Sequence, residues 1–180
     1  MRIISGKHKG KRISAPKKLP VRPTTDMAKE ALFNILNNHY YFDQISVLDL
    51  FAGIGSISFE FASRGTGTIT SVDQNIGCIK FIDKINDEIQ TDIQTIKSDV
   101  YSFLEKTGQK YDVIFADPPY DFTEDKFQSI ANLVFKNEML NKGGMLIIEH
   151  SKFTDLSDKP EFLNSKKYGG NVFSFFKNKD

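Results

Sequence analysis

Cysteine is almost missing from this chain of 180 residues: Cys78 stands alone. A single thiol cannot build a disulfide framework or a cysteine-rich zinc site, and it fits a reducing compartment. Histidine is as sparse. His8, His39 and His150 are scattered with no shared spacing, so no metal site is expected. No apolar run approaches the ~20 residues that a membrane span needs. The opening MRIISGKHKGKR lacks the apolar stretch of a secretory signal. Internal repeats and low-complexity linkers are also absent. With 39% hydrophobic and 26% charged residues, one globular domain with a real core is expected. The protein should be soluble, cytoplasmic and monomeric, without a membrane partner.

The first 25 residues hold no acid at all. They carry eight cations: Arg2, Lys7, Lys9, Lys11, Arg12, Lys17, Lys18 and Arg22. The remainder holds 16 basic and 23 acidic side chains, a net of −7 behind an overall charge of +1. A basic arm on an acidic body implies a polyanion touched at one end. RIIS and RIS flank a Gly-containing turn, which reads as a β-hairpin. The expected organisation is a basic arm over 1–22 and a globular domain over 23–180.

Beyond the arm, strands alternate with helices. A helix is expected over 27–38, capped by Thr25 or Asp26, with Ala28, Ala31, Leu32 and Ile35 on one face. A strand over 45–50 leads through the glycine turn FAGIG into a helix over 56–63. A second strand closes at Asp73, and a helix follows with Ile76, Ile79, Ile82 and Ile85 on roughly one face. Cys78 reads as a core residue in mid-helix. A third strand ends at Asp99, before a short helix. YDVIFADPPY is a fourth strand, 124–138 a helix and GGMLIIEHS a fifth strand. The tail reads as two more strands joined at Gly169 and Gly170. Such alternation implies an α/β fold: a mainly parallel seven-stranded sheet with helices on both faces and ligands at the strands' carboxyl ends.

Two stretches carry chemistry. In VLDLFAGIG, Gly53 and Gly55 permit a tight turn and close backbone approach, but Ser58 stands where a dinucleotide fingerprint has its third glycine. Asp49 precedes the turn, and Asp73 lies about 20 residues after the glycines, where an acid accepts from ribose hydroxyls. Asp99 is placed to accept from an adenine amine. Three acids suit a cationic nucleoside and suit a pyrophosphate poorly. The second stretch is DVIFADPPYDF. Prolines lack an N–H and fix φ, so Asp117 and Tyr120 are held on a stiff turn at a strand's end. RPTTD, with Arg22 and two hydroxyls before a helix N-terminus, is a natural anion site and equally a plain cap.

Taken in order, VLDLFAGIG, SVD, SDV and DPPY resemble the Rossmann-like class I S-adenosylmethionine-dependent methyltransferases. The flanks RIISGKHKGKRI and RPTTDMAKEALFNIL, with GGMLIIEH and GGNVFSFF, resemble the RsmD family of 16S ribosomal RNA guanine-N2 methyltransferases over nearly the whole chain. Ile54 departs from that pattern, standing where a small polar residue is expected. The resemblance implies S-adenosylmethionine as cofactor, held by Thr25, Asp49, Phe51, Gly53, Gly55, Asp73, Asp99 and Val100. It implies Asp117, Pro118, Pro119 and Tyr120 as the catalytic turn. It also implies ribosomal RNA, or a partly assembled small subunit, as partner, met by Arg2, Lys7, Lys9, Lys11, Arg12 and Arg22.

An exocyclic amine is a poor nucleophile because its lone pair is delocalised into the ring. Asp117 and the Pro118 carbonyl can accept its two hydrogens and free the lone pair, while Tyr120 stacks on a flipped base. Two alternatives stand beside this one. An adenine-N6 methyltransferase on DNA uses the same turn but needs a target-recognition region that 180 residues leave no room for. A silent RNA-binding module would not need DPPY intact.

Overall fold

The computed structural model describes residues 1–19 and 24–178. Arg22, one of the expected RNA contacts, and Pro23 of RPTTD lie outside the described residues. Seven strands form one sheet in the order β3-β2-β1-β4-β5-β7-β6. They are β1 Ser46–Leu50, β2 Thr68–Asp73, β3 Ile93–Lys97, β4 Tyr111–Ala116, β5 Leu140–Ser151, β6 Phe162–Tyr168 and β7 Asn171–Phe176. β1 to β5 run parallel, and β7 lies antiparallel between β5 and β6.

Among the described residues five helices cover the sheet: α1 Asp26–Asn37, α2 Ser56–Ser63, α3 Ile76–Ile89, α4 Val100–Lys106 and α5 Glu124–Lys136. The period-2 alternation of the strands sorts them. Val47, Val113, Phe115 and Ile147 point into a core shared with α1, α2 and α3. Leu48, Ile114, Ala116 and Ile148 point into a second core against α4 and α5. Strands covered on both faces read as near-continuous apolar runs, as VIFA does in β4. From β1 the chain winds outward through β2 and β3, then returns to place β4 on β1's other side. The carboxyl ends of β1 and β4 therefore flank the crevice where open α/β sheets bind ligands.

Several boundaries differ from expectation. β3 stops at Lys97, and Asp99 is the N-cap of α4, its Oδ1 accepting from the Ser102 N–H at 2.9 Å. Thr25, not Asp26, caps α1. α5 ends at Lys136, and β5 begins at Leu140, before the two glycines. A single turn of 3-10 helix, Phe42–Gln44, has no sequence signal.

The arm pairs antiparallel as expected, around a bridge between Arg2 and Arg12: Ile3 N–H donates to the Lys11 carbonyl, Gly10 N–H to the Ile3 carbonyl and Ile13 N–H to the Met1 carbonyl. Other backbone donors of the arm go to α2. Ile4 and Ser5 donate to the Glu60 carboxylate of α2 at 2.8 and 3.0 Å, and Lys7 N–H donates to the Ser63 carbonyl. Ile3 and Ile13 are buried in the main core. The segment is thus packed along α2 as part of the body. Gly6 allows that approach, since a Cβ there would fall 1.8 Å from the Ser63 carbonyl oxygen.

Candidate active site

The glycine turn after β1 forms because its residues accept left-handed backbone. Phe51, Gly53 and Gly55 have φ of 59°, 55° and 75°. At Gly55 a side chain would have both the wrong φ and no room, because a Cβ would stand 2.9 Å from Phe59. Asp73, at the end of β2, staples the turn. Its Oδ2 accepts the Gly53 N–H and its Oδ1 the Asn75 N–H, both at 2.8 Å. Each oxygen keeps a lone-pair direction for a further donor.

Asp49 lies one step lower, only 2% exposed. It accepts both the N–H and the hydroxyl of Ser58, which in turn meets Ser71 Oγ at 2.6 Å. Burial pushes its carboxyl up to about 7, against the two Ser58 hydrogen bonds that favour the charged form; the Asp73 charge adds to the rise. Near neutral pH this carboxyl is poised between two charge states.

On the other side of the crevice β4 gives way to the proline turn. Pro118 is buried, Asp117 half-buried, Pro119 exposed and Tyr120 44% exposed. The Asp117 N–H donates to the Leu50 carbonyl at 3.3 Å, which ties the turn to β1. Beyond it, Phe122 packs edge-on against Phe51 with centroids 5.8 Å apart and stacks toward Tyr101 at 6.5 Å. These rings wall off one side of the space between the two turns.

That space is a cavity of about 350 Å³, within the range of small-molecule sites. It collects Asp49, Phe51, Gly53, Asp73, Asp99, Val100 and all four residues Asp117 to Tyr120. Gly55 forms the turn without lining the cavity. Thr25 does not line it either: its hydroxyl accepts the Ala28 N–H as the helix cap. Its neighbour Thr24 lines the cavity, 7% exposed, and donates to Glu149 Oε2 at 3.0 Å. Cys78 lies in the first turn of α3, buried, and lines the cavity as well. Phe122 and Asn75 are functional candidates that the sequence reading does not single out, and Thr24 is one of the two RPTTD hydroxyls it does. Phe122 sits two residues past DPPY on the same stiff turn, and that is the available signal. Among the described residues no lysine or arginine lines the cavity.

Lys7, Lys9, Lys11 and Arg12 are exposed. Arg2 pairs with Asp26 at 3.0 Å. The bridge between Arg2 and Arg12 lies by the cavity end of α2, since buried Lys29 links the Arg2 carbonyl to Ser56 Oγ. The Lys7–Lys11 loop lies at the far end, held by Ser63. α2 separates the two by about 10 Å at 1.5 Å per residue. Among the described residues, Arg2 and Arg12 lie toward the cavity end of α2 and the Lys7–Lys11 loop toward its far end, while Leu19, next to Lys17 and Lys18, packs by Gly77 at the start of α3.

A family model described as Conserved hypothetical protein 95 matches residues 1–177. Ribosomal RNA small subunit methyltransferase D of Buchnera aphidicola subsp. Baizongia pistaciae is 35% identical, covering 83% of this chain and 75% of that one. The solved structure of yhhF from Escherichia coli superposes with a TM-score of 0.85 at 26% identity, covering 98% and 96% of the two chains. The 16S rRNA N2 methyltransferase RsmC of Thermus thermophilus, solved with AdoMet and guanosine, shares the fold at a TM-score of 0.72 and 21% identity, over 89% of this chain and 45% of that one. A match that spans both the arm and the proline turn leaves one assignment: this chain belongs to the RsmD family, with the Rossmann-like fold of the class I methyltransferases.

Proposed function

We propose that this protein transfers a methyl group from S-adenosylmethionine to the exocyclic N2 of a guanine in small-subunit ribosomal RNA. One observation carries the reading: the acid-lined glycine turn and the Asp117–Tyr120 turn open into the same cavity. The lining residues fit the cofactor's chemistry. A cavity with Asp49, Asp73 and Asp99 and no cation among the described residues suits a cationic nucleoside and disfavours a pyrophosphate. Asp73 and the Gly53 turn would take the ribose, Asp99 and Val100 with the Phe51–Phe122 wall the adenine. S-adenosylmethionine, when bound, supplies an electrophilic methyl on a sulfonium.

The chain's own part is to prepare the amine. The Asp117 carboxylate and the Pro118 carbonyl accept the two N2 hydrogens, which withdraws the lone pair from the ring. Two consecutive prolines hold these acceptors in place, so their orientation is set before the substrate arrives. The methylated nitrogen loses one proton, and Asp117 is the nearest group of this turn able to receive it. Tyr120, partly exposed at the mouth, gives the flipped base a ring to stack on. A guanine paired in a duplex cannot present N2 in this way, so the target is unpaired or flipped out.

The test is methyl transfer from labelled cofactor to 16S RNA, to assembled small subunits and to DNA, followed by nucleoside digestion. N2-methylguanosine from ribosomal RNA is expected. Label in adenine, or in DNA alone, overturns the reading.

A further inference from the structure

Six large apolar side chains are exposed among the described residues: Met27, Tyr41, Ile76, Tyr120, Phe153 and Leu163. Single exposed apolar residues are ordinary, but their placement here is uneven. Four of the six stand at the carboxyl end of the sheet, the end at which the cavity lies. Met27 is the second residue of α1, and its Cε lies 3.6 Å from where a Cβ on Gly169 would stand, at the carboxyl-end turn between β6 and β7. Ile76 opens α3 next to the cavity-lining Asn75. Tyr120 belongs to the proline turn. Phe153 follows β5.

Phe153 is the extreme case at 86% exposure. In the ladder Ala116 of β4 pairs with Ile148 of β5, and β5 runs on to Ser151. Those three extra residues carry the chain about 10 Å past the level of Ala116, so Phe153 overhangs the end of the sheet on which Asp117 sits. The turn that presents it is fixed: Ser151 Oγ accepts the Phe153 N–H at 3.3 Å and the Ser151 carbonyl accepts the Thr154 N–H at 3.2 Å. Lys152 Nζ lies over one face of the ring, 4.9 Å from its centroid, and the ring's high exposure leaves the other face to solvent. A rigidly presented ring with a cation beside it matches single-stranded nucleic acid, whose bases stack on aromatic faces while phosphates meet the cations.

Resting on the methyltransferase reading above, we propose that Phe153 is a stacking platform for an unpaired RNA base flanking the target guanine, with Lys152 meeting its phosphate. The flipped guanine enters at Tyr120, and the neighbouring strand is held at Phe153. Base-on-aromatic stacking disappears with the ring, and alanine substitution at such platforms weakens binding roughly 5- to 100-fold.

Phe153→Ala, Phe153→Trp and Tyr41→Ala are compared for affinity toward a short single-stranded RNA by fluorescence anisotropy, and for KM and kcat on 16S RNA. Tyr41 is 78% exposed but precedes β1, at the opposite end of the sheet, and serves as the matched control. Phe153→Ala should weaken RNA affinity and raise KM about tenfold, at unchanged kcat and cofactor affinity. Phe153→Trp should keep both, and Tyr41→Ala should resemble wild type. Equal RNA affinity in the Phe153→Ala and Tyr41→Ala proteins overturns the proposal. So does a loss seen only with assembled subunits, which assigns the ring to a protein contact. Methylation of ribosomal RNA by the wild type tests the parent reading separately.

Discussion

Replacing Glu60 with glutamine probes how the basic arm is joined to the catalytic body. The Glu60 side chain is fully buried on α2. Its carboxylate accepts the Ile4 and Ser5 N–H groups of the arm at 2.8 and 3.0 Å and the Arg64 guanidinium at 2.9–3.0 Å, and it lies 3.6 Å from Lys29 Nζ. Lys29 is 1% exposed. Burial already lowers its pKa, and Glu60 is the main influence raising it again. Glutamine keeps the shape but removes the charge. Breaking a buried pair from one side costs about 3–5 kcal/mol, because the remaining ion is left uncompensated. At 2–4 °C per kcal/mol for a chain of this size, the melting temperature should fall by roughly 6–20 °C. The pH dependence carries a sign. Without Glu60 the folded-state pKa of Lys29 drops further below its unfolded value. Above that lowered pKa the folded protein binds fewer protons than the unfolded chain, so stability rises with pH. Urea melts at pH 7 and 9 should therefore show the deficit shrinking at pH 9. A loss below about 1 kcal/mol, or a deficit that grows with pH, would refute the argument that this pair anchors the arm.

Gly55→Ala should cost about 2–4 kcal/mol in urea melts, from a positive φ and the contact with Phe59, and should weaken cofactor binding in calorimetry. Binding a cation beside Asp49 favours its carboxylate, so cofactor affinity should strengthen from pH 6 to 8 with proton release in that range; Asp49→Asn should flatten the profile. Asp117→Ala should reduce kcat by about 10²-fold or more, measured in saturating methyl-transfer assays, with cofactor affinity intact. Changing Lys7, Lys9 and Lys11 together to glutamine should flatten the salt dependence of RNA binding by roughly 0.7–0.9 in log–log slope for each phosphate that is no longer neutralised. Truncating the arm is a poorer test, because Ile3 and Ile13 belong to the core.

The parts of the fold legible in the sequence are those set by local rules. Buried parallel strands announce themselves as apolar runs, and glycines and prolines mark the two turns that flank the cavity. Asp117 can be located because it adjoins the prolines, Asp49 because it closes the run before the glycine turn, and Asp73 by its spacing of about 20 residues from those glycines. For Asp99 the pattern identifies the right loop but the wrong element. SDV reads equally as a strand end or as a cap followed by a helix, and only the Ser102 hydrogen bond decides. Thr24 and Thr25 are not separable for the same reason, since a shift of one residue exchanges the cap and the cavity wall. What no local rule can give is the docking of the arm. RIIS and RIS have the composition of paired strands, and they do meet at Arg2 and Arg12. The Ile4 and Ser5 N–H groups, however, go to Glu60, 56 and 55 residues away, and nothing in the sequence around Glu60 marks it as the acceptor.

That docking bears on function, because the same carboxylate that holds the arm also faces Lys29, and Lys29 reaches Ser56 at the edge of the cofactor cavity. The arm's arginines Arg2 and Arg12 are therefore positioned from the cavity's own helix, α2, while its lysine loop is carried to that helix's far end. RNA gripped along the arm would run beside α2, and RNA stacked at Phe153 would leave the mouth on the β5 side. On the proposed reading the target nucleotide would lie between two separated contacts, and strain between them would be available to draw a base out of its stack. Disturbing either contact should raise KM for RNA without altering cofactor affinity, and disturbing both should raise it by less than the product of the single effects if they act on one strand, because losing either contact already removes the strain they share.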